Sequence, residues 1–301
     1  MNSQDIADAI SEATGTPFVL ENQSHVGGGD INTAMKISGS GRDYFLKLNS
    51  AHLLDMFEAE AAGLHDLAEA EAVRVPAPVC TGISNSQAFI VIEHLDISGR
   101  GSMSTFGEQL AQLHRHSSEK SGSGQSAKGP FGWHRNNTIG STPQINDWQD
   151  DWATFWSEQR LGYQLELAAR RGIGNSAISK GEKLREKLND FFSSYHPAPS
   201  LLHGDLWSGN YGFVASGEAV IFDPATYYGD READIAMTEL FGGFGQDFYA
   251  GYNANWKLDE GYPLRKTLYN AYHILNHFNM FGGGYGSQAE SMLGRLLAEV
   301  S

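Results

Sequence analysis

His203-Gly204-Asp205-Leu206-Trp207-Ser208-Gly209-Asn210, with Ile221-Phe222-Asp223-Pro224 downstream, is the stretch on which the reading of this chain turns. Phosphoryl transfer from ATP needs a carboxylate beside the attacking hydroxyl and oxygen ligands that hold Mg2+ against the phosphates. Asp205 is the candidate for the first role, Asn210 and Asp223 for the second. Between them the apolar runs 211–214 and 219–222 flank a polar turn, Ala215-Ser216-Gly217-Glu218, and read as a short hairpin. Such a hairpin brings both ligand candidates to one end. Taken singly the pieces are weak. His203-Gly204-Asp205 fits a turn with a capping acid, and Asp223 before Pro224 fits a strand end, because the residue before proline is pushed extended. Strand, loop, hairpin and acid together point to phosphotransferase chemistry.

The N-terminal third supplies the remaining parts. Ser24-His-Val-Gly27-Gly28-Gly29-Asp30-Ile-Asn32 is a glycine-rich turn whose backbone N–H groups can approach phosphate without Cβ obstruction. No Gly-Lys-Ser/Thr follows, so it is not a Walker A loop. With 35 glycines in the chain, an ordinary hairpin loop explains the run as well. Lys47 lies in the apolar strand Tyr44-Phe-Leu-Lys-Leu48 and, at period two, shares a face with Phe45. A lysine on an inner face calls for a counter-ion. Glu60 is the candidate, because it lies on the Phe57/Leu64 stripe of an amphipathic helix, with Glu58 turned to solvent. A strand lysine paired with a helix glutamate is the arrangement that orients ATP phosphates in protein kinases. A plain structural ion pair is the alternative. The apolar run 87–92 ends in Glu93-His94-Leu95-Asp96, a hinge whose backbone is placed to meet an adenine edge.

These segments resemble the fructosamine-3-kinase (ketosamine-3-kinase) family, within the group that shares the protein-kinase-like fold with aminoglycoside and choline phosphotransferases. The resemblance is carried by Gly27–Asn32, Phe45-Leu-Lys47, Phe57–Leu64, Val91–Leu95, Phe131–Gln144, Leu202–Asn210, Phe222–Gly229 and Arg231–Phe241. It implies an α+β, bilobal fold: an N-lobe of antiparallel sheet plus helix over 1–92, a hinge at 93–96, and a mainly helical C-lobe over 97–301 that holds the acceptor pocket. It further implies ATP- and Mg2+-dependent phosphorylation of the 3-hydroxyl of ketosamines, whose 3-phosphates then release the free amine. Asp205 would be the catalytic base. Asn210 and Asp223 would hold the metal, and Lys47, backed by Glu60, the phosphates. The backbone of Glu93, His94 and Leu95 would bind adenine. Two departures stand out. Some relatives carry a cysteine in the glycine loop where this chain has Asp30, and members often have Asp where Asn136 stands, which puts any charged role there in doubt.

Other residues give narrower expectations. Trp207 packs against the substrate or braces the loop. His203 is structural, and Asp234 is a buried acceptor for catalytic-loop N–H groups. His114-Arg-His116 ends a helix in solvent. Thr105-Phe-Gly-Glu108 reads as a capping box. The stretches 148–170 and 178–195 are helical, with Trp148, Trp152, Phe155 and Trp156 in the core rather than on a sugar platform. Residues 117–130 form a mobile loop by composition, and Gly282–Gly284 separates the last two helices.

Composition bounds the partners. Lys and Arg number 21 against 36 Asp and Glu, a formal charge of −15 that disfavours nucleic acid and anionic membranes and suits a cationic amine adduct. The single cysteine, Cys80, excludes an intrachain disulfide and suits a cytoplasmic location, with no signal-peptide pattern and no run long enough to span a bilayer. Two competing readings remain at this stage: a kinase of another small hydroxyl substrate (aminoglycoside, choline or sugar), and a nucleotide-binding pseudokinase scaffold.

Overall fold

The computed structural model describes residues 2–27, 31–116 and 129–300. Gly28, Gly29, Asp30 and most of the 117–130 segment therefore lie outside the described residues. The chain forms two compact units, one of residues 1–102 with 211–224 and the other of 103–210 with 225–301.

In the first unit, α1 (Ser3–Thr14) begins at Asn2, whose side chain accepts the Gln4 N–H at 3.1 Å, and stops at Gly15 in the left-handed region. Strands β1 (Asn22–His25), β2 (Thr33–Gly39), β3 (Arg42–Ser50), β4 (Pro78–Ser84) and β5 (Gln87–Glu93) form an antiparallel sheet in the order β1-β2-β3-β5-β4. Alternation sorts β3 by face: Leu46 and Leu48 join Ile6, Ile10, Ile37 and Val91 in one apolar cluster with α1. Lys47 points the other way, toward α2 (Leu54–Glu69), whose Phe57 and Leu64 are fully buried. The hairpin of Tyr211–Phe213 with Ala219–Ile221 belongs to this unit. It is tied there by the Gly99 N–H to the Phe213 carbonyl at 2.8 Å and the Ile221 N–H to the Arg74 carbonyl at 3.0 Å.

The second unit is mainly helical. Helix α3 (Met103–His114) already includes Thr105, which therefore sits in the first turn and cannot be the cap. The short hairpin of β6 (Asn137–Ile139) and β7 (Thr142–Gln144) follows. Next comes one continuous helical stretch, α4 (Trp152–Phe155), a π-helical segment (Trp156–Gly162) and α5 (Tyr163–Arg170). It starts four residues later than expected, because the Asp151 side chain caps it by accepting the Thr154 N–H at 2.8 Å. Trp152, Phe155 and Trp156 are core residues, as expected, while Trp148 is half-buried and stacks on Tyr228. Helix α6 (Asn175–Glu186) is followed by α7 (Glu232–Leu240), α8 (Gln246–Asn255), α9 (Tyr262–Phe281) and α10 (Tyr285–Glu299). Helices α3 and α8 cross closely because each puts a glycine at the contact: a Cβ on Gly107 would stand 2.1 Å from the Phe248 carbonyl, and one on Gly251 2.1 Å from that of Ser104. No helix among the described residues is long and apolar enough to cross a membrane.

Candidate active site

In the first unit, Lys47 is 5 % exposed, and its Nζ lies 2.5 Å from Glu60 Oε1 and 2.5 Å from Asp223 Oδ1. The strand lysine and the helix glutamate expected to pair do so, and Asp223 closes on the same ammonium. Burial works against the charge on Lys47. The two carboxylates outweigh it and hold the ammonium above its ordinary pKa. One cation between two acids leaves an excess of negative charge, on the side where the Asp223 side chain is 48 % exposed.

Asp223 adopts φ +58°, in the left-handed region. It is no strand terminus extended by the following proline, since the strand ends at Ile221. A non-glycine residue held at positive φ is strained, and such strain gathers at functional sites. At the hinge, the Glu93 N–H already donates to the Ala77 carbonyl at 2.8 Å and its carboxylate pairs with Arg74 at 2.8 Å. That N–H and that carboxylate of Glu93 are therefore committed within the fold. Of the glycine run only Gly27 is described, and a Cβ there would meet nothing within 4 Å.

In the second unit, the strand Pro199–Leu202 pairs antiparallel with Tyr227–Asp230 and leads into the 203–210 loop that carries Asp205. Asp234 at the start of α7 receives the His203 N–H at 2.7 Å and the Gly204 N–H at 2.8 Å, the role expected of it. Burial raises its pKa, but the His114 hydrogen bond and the neighbouring His114 and His203 rings, together with the Gly204 N–H, overcome this and hold the carboxyl below its usual range. His203 is fully buried, and its Nδ1 accepts the Asp205 N–H at 3.2 Å, which bears out its structural reading. Within the loop, Asn210 Nδ2 donates to the Asp205 carbonyl at 2.8 Å and lies 3.3 Å from Asp205 Oδ2. Asn210 N–H and Trp207 N–H close onto the Trp207 and Asp205 carbonyls at 2.9 and 3.2 Å. Gly204 sits at φ +83°, and a Cβ there would stand 2.1 Å from the Ala225 carbonyl, so only glycine fits. Trp207 meets Phe241 edge-on at 6.2 Å between centroids and is 37 % exposed, so it braces the loop and still offers a face to solvent.

His114 is not solvated: it is 1 % exposed, with Nδ1 2.8 Å from the Tyr252 hydroxyl and Nε2 3.2 Å from Asp234 Oδ2. A carboxylate only accepts, so Nε2 carries the proton and Nδ1 accepts from Tyr252. The signal was present in the sequence, because His114 falls four residues after Leu110 on the apolar stripe of α3. The Asn136 side chain accepts the Asn146 N–H at 2.8 Å, a task that needs an acceptor and no charge. A buried amide network around Gln144 and Asn146, held by the fully buried Arg160, went unpredicted; neutral amides leave no pattern that period or spacing can reveal. No cluster of three or more His, Cys, Asp or Glu that could hold a metal occurs among the described residues.

The family model for fructosamine kinase matches residues 2–299. A "Probable ketoamine kinase" of Synechocystis is 48 % identical over 98 % of this chain and 96 % of its own length. A chloroplastic protein-ribulosamine 3-kinase of Arabidopsis thaliana is 44 % identical over 89 % of this chain and 80 % of its own. Among solved structures, one described as a fructosamine-3-kinase of Haemophilus somnus superposes with a TM-score of 0.85 at 32 % identity, covering 97 % of this chain and 96 % of that one. Aminoglycoside phosphotransferase APH(4)-Ia, in a complex with ADP and hygromycin B, has a TM-score of 0.62 at 14 % identity over 98 % of each chain, a likeness of fold alone. With the match running nearly end to end, this chain belongs to the fructosamine kinase family.

Proposed function

We infer that this chain transfers the γ-phosphoryl group of ATP to the 3-hydroxyl of ketosamines, the adducts of sugars with amines, and so acts in deglycation. The observation that carries this reading is the pinned Asp205 loop within a chain of this family, with the Lys47–Glu60–Asp223 cluster supplying the other half of the chemistry. Its relatives are named for ketoamine and ribulosamine substrates, and one solved structure for fructosamine.

In phosphoryl transfer the protein positions groups and neutralises charge. Asp205 would orient the acceptor hydroxyl and take its proton. Lys47 would leave Asp223 for the phosphates while Glu60 keeps it in place. Mg2+ would be held by Asp223, which carries the uncompensated charge in its own unit, and by Asn210, whose Nδ2 donates to Asp205 and whose Oδ1 is an oxygen ligand suited to a hard cation. The metal's contribution would be neutralisation of the phosphate oxygens. Gly27, Gly28 and Gly29 would cover those phosphates, and the His94–Leu95 backbone, with the Glu93 carbonyl, would meet the adenine. Trp207 would offer its exposed face to the sugar or its amine arm. The partners follow from charge: a cationic amine adduct and no nucleic acid. The single thiol fits the cytoplasm.

The test is a coupled assay of ATP consumption over fructose-, ribulose- and erythrulose-derived adducts of free and peptide amines, with mapping of the phosphorylated carbon. Transfer to the 3-hydroxyl of at least one adduct is expected. ATP–Mg2+ binding with no transfer to any adduct would overturn the reading.

A further inference from the structure

We propose that Gln144, at the end of β7, is a positioning residue that fixes where Asp205 stands. This rests on the reading of Asp205 as the catalytic base. Gln144 is 1 % exposed, and both its N–H groups and its oxygen are engaged. Nε2 donates to Asn137 Oδ1 at 2.9 Å and to the Ala225 carbonyl at 3.1 Å, while Oε1 accepts the Tyr272 hydroxyl at 2.6 Å.

Ala225 is where this matters. Its N–H donates to the His203 carbonyl at 2.8 Å, and its carbonyl is the atom that leaves no room for a Cβ on Gly204. The carbonyl held by Gln144 is thus the wall against which the residue before Asp205 is seated. Asp234 fixes the same loop through the His203 and Gly204 N–H groups. The two supports hold different atoms, and neither replaces the other.

The brace has its own foundation. Asn137 Nδ2 donates to the Thr226 carbonyl at 2.8 Å, and Asn146 Nδ2 donates to Asn137 Oδ1 at 2.9 Å. Arg160, fully buried in the π-helical segment, donates to Asn146 Oδ1 at 2.7 Å and to the Ile145 carbonyl at 2.5 Å. Its guanidinium lies 4.1 Å from the Tyr227 ring centroid and 4.6 Å from that of Phe155, with no ion pair among the described residues. π-Helical turns are rare and occur frequently at functional sites. Arg160 lies in this one. The amides of the chain from Arg160 to Ala225 do not titrate, so this support, unlike that of Asp234, is independent of pH.

The test is Gln144→Glu, which keeps the shape and the Oε1 acceptor. Protonated, the glutamic acid restores one donor toward Ala225 or Asn137. Ionised, it sets an oxygen against two oxygens. Burial raises the pKa of such a carboxyl into the range of about 6 to 9. Turnover of Gln144→Glu is expected to fall about ten- to hundredfold as pH rises through that range, a limb absent from the wild type, with the KM for ATP held within about twofold. In an Asp205→Ala background the same change is expected to leave the residual turnover unaltered, because the effect passes through Asp205. Gln144→Met, which removes the hydrogen bonds without adding charge, gives a pH-independent loss of turnover on the Asp205 background only. A flat pH profile for Gln144→Glu, or equal losses with and without Asp205, overturns the proposal. A wild type that phosphorylates no ketosamine overturns the functional reading instead.

Discussion

Lys47 and Arg160 are both buried cations, and they are kept in opposite company. Lys47, in the first unit, stands between two carboxylates. Arg160, in the second, stands among aromatic faces, a carbonyl and neutral amides, without an ion pair among the described residues. Ionised partners can be exchanged when a phosphate or a metal arrives, since charge answers to charge. Dipoles and ring faces offer less to an incoming ion and hold a guanidinium in one pose. On the function proposed above, the difference would separate a cation kept for chemistry from a cation kept for position.

The widest gap between the two regions is expected in turnover. Asp205→Ala, at the end of the positioned chain, lowers kcat by about 10²- to 10⁴-fold with an unchanged melting temperature. Turnover near wild type would break the comparison at its root. Arg160→Ala is expected to cost about 3 kcal/mol of stability in urea unfolding, from stranded acceptors and an aromatic cavity. Replacing the buried pair together, Lys47→Met with Glu60→Leu, has the reverse profile: ATP binding weakens, while stability moves by only about 1 kcal/mol because the desolvation of both ions is relieved. Equal stability losses at the two sites would erase the distinction.

A smaller effect lies in the pH dependence of stability. Burial pushes Glu232, paired with Arg265, up from 4.5 to about 7, so its contribution is full below 4.5 and lost as pH rises through about 7. Burial pushes His273 down from 6.5 to about 3, so its contribution is present above 6.5 and lost as pH falls toward about 3. Replacing each by glutamine and following urea midpoints against pH should remove slopes of opposite sign. Slopes of the same sign would refute the assignment of either proton. The smallest effect is at Cys80, whose thiol burial pushes up to about 11. Alkylation at neutral pH is expected to be slow and activity to survive it, as mass spectrometry beside the kinase assay would report.

Much of the site was legible because its chemistry is local in sequence. The Lys47–Glu60 pair follows from strand and helix periods, each of which fixes the face a side chain takes. The Asp234 role follows from an acid placed to open an apolar helix behind the loop. His114 was misread because a helix-terminal histidine flanked by arginine suits solvent by composition, whereas the apolar stripe of α3 carries it inward against Asp234 and Tyr252.

By itself the sequence determined the family, the α+β fold and the candidates for base, phosphate and metal, because reactive groups must come as particular residue types at set spacings. Only the tertiary structure decided the left-handed turn at Asp223, the burial of His114 and the Gln144–Ala225 seat beneath the Asp205 loop. Those depend on which backbone carbonyl a neutral amide finds across dozens of residues, and a hydrogen bond of that kind imposes no period on the chain that makes it.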